Sequence, residues 1–130
     1  MFKTELKIAL RKNDGKSISK QDWKLLSDFI YKSALVDSLI VVPTGFVTDF
    51  ASVPRLPIIF LLVGDTAIEA SCVHDFLYRS GAFDRSMCDR IFREAAIESG
   101  VPAWRVFLLY NGVRLFGSGF YLKTQGAQNG

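Results

Sequence analysis

The run Ser71-Cys72-Val73-His74-Asp75-Phe76-Leu77-Tyr78-Arg79 brings a histidine, a carboxylate and a tyrosine within about one helical turn, and that histidine is the only one in the chain. On a helix, His74 and Tyr78 lie four residues apart on one face. Asp75 sits about 100° round from His74, so the two can flank one cleft without pairing with each other. A second carboxylate, Asp89, follows in Cys88-Asp89-Arg90. A carboxylate on one imidazole nitrogen fixes the tautomer and leaves the other nitrogen as a general base. With water as nucleophile, that is the base-plus-orienter logic of a hydrolase. His74 is assigned as base, Asp89 as its orienter, and Tyr78 as a hydrogen-bond donor that holds Asp89. Asp75 suits a hard cation. Calcium takes about 6–8 oxygen ligands, many of them loop carbonyls, and would polarise an ester carbonyl. The competing reading is a structural polar network of His74, Asp89, Tyr78, Asp49 and Arg55.

These residues need two helices to position them, and the punctuation supplies three. Asp65 or Thr66 suits the first N-cap, with Glu69 placed for a capping box, and Gly81 ends the helix. Asp84 or Ser86 caps the second helix, and Gly100 closes it. Cys88, Ile91, Phe92, Ala95 and Ala96 form its apolar stripe. Pro102 opens the third at its first helical position, and Gly117 ends it. There, Trp104, Phe107, Leu108, Asn111 and Leu115 share a face that reads as core. The linkers are short, so the helices should pack as antiparallel neighbours, with Asp89 opposite His74.

Upstream, residues 2–10 alternate in polarity and read as a strand. Asn13-Asp14-Gly15 is a turn signal. Residues 23–31 are ambiguous and read as a strand. Residues 38–42 are rich in β-branched side chains and stop at Pro43, with Asp37 at a hairpin turn position. Residues 43–57 mix turn residues with Phe46, Val47, Phe50 and Val53. This reads as an ordered loop pinned by its apolar residues, with Asp49, Ser52 and Arg55 as contact residues for the site. The fold class is therefore α+β: a small N-terminal antiparallel sheet of about three strands, an ordered loop, and three antiparallel-packed helices. A single domain is expected over 1–117, with a β part at 1–42, the loop at 43–64 and the helical part at 65–117. Residues 118–130 read as a C-terminal tail in which Phe120-Tyr121-Leu122 can dock.

Composition narrows the function classes. The chain has 130 residues, 49 % hydrophobic and 22 % charged, which is a globular balance. Its 16 Lys+Arg against 13 Asp+Glu are scattered, so a nucleic-acid partner is not expected. Cys72 and Cys88 cannot build a disulfide framework and read as core residues. Cys72 and His74 face different sides of a helix, which disfavours a shared zinc ion. Met1-Phe2-Lys3-Thr4-Glu5 shows no apolar signal-peptide core, and the run from Leu56 to Val63 is too short to span a membrane. Synthesis in the cytoplasm is expected.

Two resemblances attach to these residues. His74-Asp75-x-x-Tyr78 on one helix, followed by Asp89 on the next, resembles the catalytic helix pair of secretory phospholipases that cleave the sn-2 ester. The resemblance implies His74 as base, Asp75 as calcium ligand and Asp89 as orienter, with a lipid or ester substrate. The chain lacks that family's glycine- and cysteine-rich calcium loop and its bracing disulfides. The longer set, Val42-Pro43-Thr44-Gly45-Phe46-Val47-Thr48-Asp49-Phe50-Ala51-Ser52-Val53-Pro54-Arg55 with the histidine motif, Asp89-Arg90-x-Phe92 and Gly100-Val101-Pro102-x-Trp104, resembles a small family of unknown function common in tailed bacteriophages and prophages. That resemblance implies phage or prophage origin and synthesis in the host. It also implies a tail-associated or envelope-directed role, with other tail or virion proteins as partners. Within it, the alternative to an enzyme is a virion component of the tail tip or baseplate.

Overall fold

A computed structural model describes residues 1–10, 22–48, 67–119 and 121. The chain forms two compact units, Met1–Asp49 and Phe50–Gly130. Strands precede helices, and the fold is α+β as expected.

Among the described residues, the first unit holds five short strands: β1 (Ile8–Leu10), β2 (Trp23–Leu25), β3 (Phe29–Ser33), β4 (Ser38–Val42) and β5 (Val47–Thr48). They form two sheets where about one was expected: β1-β2-β5, and the hairpin β3-β4, all antiparallel. The reason lies at Leu26-Ser27-Asp28, which breaks the stretch read as one strand over 23–31. Asp28 Oδ1 accepts from both the Thr44 backbone N–H and its hydroxyl, each at 2.7 Å. These two bonds hold the Asp28 carboxyl below its usual range. Gly45, at φ 89°, turns the chain so that its N–H reaches Leu25 O at 2.9 Å. The stretch read as the start of a loop then continues as β5, with Trp23 opposite Thr48.

Residues 2–10 divide in the same way. Phe2 bridges to Tyr31, whereas Ile8–Leu10 pairs with β2. Phe2 stacks on Phe29 and tilts against Tyr31, at centroid distances of 5.5 and 4.7 Å. With a period of two, β3 buries Phe29, Tyr31 and Ser33, and β4 buries Ile40 and Val42. Asp37, at φ 46°, makes the hairpin turn, a backbone region that Asp tolerates.

The second unit holds α1 (Ala67–Ser80), α2 (Arg85–Glu98) and α3 (Ala103–Phe116). The expected cap of α1 at Asp65 or Thr66 lies outside the described residues, as do the turn at 13–15 and Asp49, Ser52 and Arg55. Gly81 and Gly100 leave their helices at φ 68° and 84°, in the left-handed region where glycine carries no Cβ penalty. Asp84 caps α2 by accepting from the Met87 N–H at 2.8 Å. Pro102 sits one residue earlier than expected, at the N-cap of α3. The central helix α2 packs against both of the others.

One helix face is corrected. Trp104, Phe107, Leu108 and Leu115 do not enter the core; they are 57, 67, 53 and 72 % exposed. Val106, Leu109 and Val113 are buried instead. The smaller side chains of that seam let α3 approach its neighbour closely, and the bulky stripe is left outward. Among the described residues, no helix is long and apolar enough to cross a membrane.

Removing the cap by Asp84→Ala leaves an orphaned N–H at the start of α2. It should cost about 1 kcal/mol of unfolding free energy in a urea titration.

Candidate functional site

Asp89 lies on the buried face of α2 and has no solvent exposure. Its two oxygens are served from different helices. Oδ1 lies 2.7 Å from His74 Nε2 and accepts from the Tyr78 hydroxyl at 2.5 Å, both side chains reaching from α1. Oδ2 accepts from Arg114 Nη1 of α3 at 2.7 Å, with Arg85 Nη1 at 3.5 Å. The structure therefore brings His74, Tyr78 and Asp89 together. The i,i+4 spacing of His74 and Tyr78 places both on the face that α1 turns toward α2.

Burial opposes ionisation of Asp89. The hydrogen bonds from His74 and Tyr78, the further electrostatic pull of His74 and the bond from Arg114 outweigh it, and the carboxyl titrates below its usual range. Burial and donation to Asp89 push the Tyr78 hydroxyl up, so it remains a phenol that donates. Burial, then repulsion from Asp89, pushes the Cys88 thiol up to about 12, and burial with Asp75 raises Cys72 as well. Both cysteines are free and buried, as core residues are. Neither is a thiolate at neutral pH, which removes them as nucleophiles.

Aromatic rings enclose the imidazole. His74 lies 4.1 Å from the Tyr78 ring and 4.9 Å from Phe92, centroid to centroid. Tyr121 meets Tyr78 edge-on at 5.2 Å and donates its hydroxyl to Phe83 O at 3.1 Å, which docks that part of the tail.

Asp75 stands apart from this cluster in its partners. It is buried, with Oδ2 3.4 Å from Arg79 Nη2 across one helical turn. Among the described residues, no group of three or more His, Cys, Asp or Glu gathers to hold a metal ion. The 43–57 loop, expected to offer further oxygens to a cation, lies mostly outside the described residues.

Sequence reasoning missed three participants. Arg85 carried a readable signal, since it precedes Asp89 at i,i+4 on the same helix. Its guanidinium also donates to Val113 O and Arg114 O at 3.0 and 3.1 Å, serving carbonyls at the end of α3. Arg114 carried no signal, because only tertiary packing brings α3 to Asp89. Gly117 ends α3 as expected, but its part in the site was not legible. Its φ is −80°, which any residue adopts, and the requirement is space. A Cβ there would lie 2.5 Å from Val113 O and 2.7 Å from the Tyr78 hydroxyl.

Two substitutions test this geometry. Gly117→Ala should destabilise by about 1–3 kcal/mol through overpacking against Tyr78, measured by urea denaturation. Asp89→Asn strips the charge that answers Arg114 and should cost about 3–5 kcal/mol. The pH dependence follows from the lowered carboxyl. Asp89 contributes stability that is fully present above the unfolded Asp value of about 3.9 and is lost as pH falls through the lower folded-state value. Thermal melts of the wild type should therefore fall below about pH 4, and those of Asp89→Asn should fall less steeply there.

No curated protein and no solved structure matches the chain. A family model does, over residues 23–113, a span that includes His74, Tyr78, Arg85 and Asp89. That span is more than half of the 130 residues, and the chain belongs to the family described as "Protein of unknown function (DUF1353)".

Proposed function

We propose that the protein is a hydrolase of phage or prophage origin that cleaves an ester of the host envelope with an activated water. The single observation that carries this reading is the pairing of His74 Nε2 with Asp89 Oδ1 at 2.7 Å, on a carboxylate already fixed by Tyr78 and Arg114. With Asp89 accepting from Nε2–H, the imidazole is held in the tautomer whose Nδ1 carries the lone pair. Nδ1 takes a proton from water as the water oxygen attacks the ester carbonyl carbon. The resulting imidazolium is stabilised by ionised Asp89. It returns the proton to the leaving alkoxide as the tetrahedral intermediate collapses to acid and alcohol. The likeness of this helix pair to phospholipases that cleave the sn-2 ester supports a lipid ester as substrate class.

A specific observation favours a second reading. His74 and Asp89 are both fully buried, and Asp89, itself on α2, is held from α1 and α3. A network of that kind also serves a non-enzymatic virion protein, of the tail tip or baseplate, whose helices it locks together.

His74→Gln separates the two readings, because the glutamine amide can still donate to Asp89 and cannot act as a base. The hydrolase reading expects ester cleavage to fall by about 10²–10⁴-fold with the fold intact by circular dichroism. Cleavage at the wild-type rate by this variant would remove His74 as base. A wild-type protein inert on phospholipid and short-chain esters, with and without calcium, would sink the hydrolase reading. Stoichiometric presence in purified particles would then support the virion reading.

A further inference from the structure

The outward face of α3 is built for contact. Trp104, Phe107, Leu108 and Leu115 are each more than half exposed, and they fall within about 100° of the helix wheel with Asn111 between them. From Trp104 to Leu115 the stripe runs about 16 Å along the axis. A contiguous apolar stripe on a surface helix marks an interaction site, unlike single exposed apolar residues. Folding does not need this face, because the opposite seam of Val106, Leu109 and Val113 already fills the core.

The charge around the stripe selects the partner. α3 carries no acidic residue, and its charged side chains are Arg105 and Arg114. The Arg105 guanidinium lies 5.5 Å from the Trp104 ring centre. Beside Phe107, a groove of about 430 Å³ opens between α2 and α3, with Ile97 and Tyr110 in its walls and no carboxylate among its lining residues. There the exposed Arg93 lies 5.5 Å from the Tyr110 ring centre. Arginine is the only charged residue type in the groove lining and on α3, with Glu94 and Glu98 elsewhere on α2, and the ridge is apolar, so the complementary partner is anionic outside and apolar within. Tryptophan and tyrosine with neighbouring arginines, beside leucine and phenylalanine, is the composition of a helix lying in a lipid headgroup layer.

We infer that the Trp104–Leu115 face of α3 seats the protein on an anionic lipid surface. This deepens the hydrolase reading, on which it rests for the purpose of the contact, by naming the physical form of the substrate. Apolar side chains of the stripe enter the acyl boundary. Arg93 and Arg105 stay at the level of the lipid phosphates, with their stems along the aromatic rings.

The test uses the full chain carrying Trp23→Phe, so that Trp104 is the only tryptophan, with vesicles of phosphatidylglycerol or of phosphatidylcholine. The expected result is a blue-shifted, intensified Trp104 emission with phosphatidylglycerol, weakened in about 1 M salt, where screening shortens to about 3 Å. Phosphatidylcholine vesicles should produce little change. Phe107→Ser with Leu108→Ser should lower partitioning by about tenfold or more, since two buried apolar side chains are lost. Unchanged emission with phosphatidylglycerol, or equal partitioning by the double variant, would overturn the inference. An emission already blue-shifted without lipid and dependent on protein concentration would assign the face to a second copy of the chain and equally overturn it. Vesicle binding and ester cleavage are read separately on the same protein. Binding without cleavage removes the hydrolase reading alone, and cleavage of soluble esters without binding removes the docking face alone.

Discussion

A carboxylate taken out of water costs several kcal/mol unless both of its oxygens are answered, and that demand at Asp89 organises the helical unit. Each answer comes from a different part of the chain. His74 and Tyr78 reach from α1, Arg85 from the first turn of α2, and Arg114 from the last turn of α3. The three helices cannot shift independently without stranding a charge. Arg85 makes the coupling tighter, because the guanidinium that faces Asp89 also donates to the Val113 and Arg114 carbonyls. Gly117 completes the arrangement by leaving room for the Tyr78 hydroxyl where any side chain would intrude.

The same arrangement makes His74 chemically specific. A histidine with neutral surroundings can adopt either tautomer. One whose Nε2 is 2.7 Å from a fixed carboxylate has its tautomer chosen for it. The aromatic rings of Tyr78 and Phe92 hold the imidazole plane, so orientation is settled by packing as well as by hydrogen bonding. Structural locking and catalytic preorganisation require the same contacts here. That is why one buried network supports both a hydrolase and a virion-protein reading, and why a substitution that keeps the hydrogen bond but removes the base is the informative one.

α3 resolves a conflict that its own sequence sets. It carries a bulky apolar stripe and, opposite, a seam of Val106, Leu109 and Val113, and only one can face α2. The smaller seam wins. It brings the backbone of α3 close enough for Arg114 to reach Asp89 and for Arg85 to reach the terminal carbonyls. The bulky stripe stays exposed as a consequence, with arginines beside its aromatic rings.

Local rules act within a few residues, and where they governed, the sequence alone was enough. Asp84 capping α2, Gly81 and Gly100 at left-handed helix ends, Asp37 in the hairpin turn, and His74 with Tyr78 on one helical face all follow from backbone sterics and the 3.6-residue period. Short linkers allowed Asp89 to lie opposite His74, and the packing of α2 on α1 brought the two into contact. Tertiary structure decided what depends on groups distant in the chain. The stretch 23–31 alternates well enough for one strand, but Asp28 binding Thr44 breaks it in two and sends β2 and β3 to different sheets. Arg114 joins Asp89 only because α3 turns its narrower seam inward, and amphipathicity could not choose between two apolar faces. Gly117 is needed for the space beside Tyr78, a requirement that appears only when another helix arrives there.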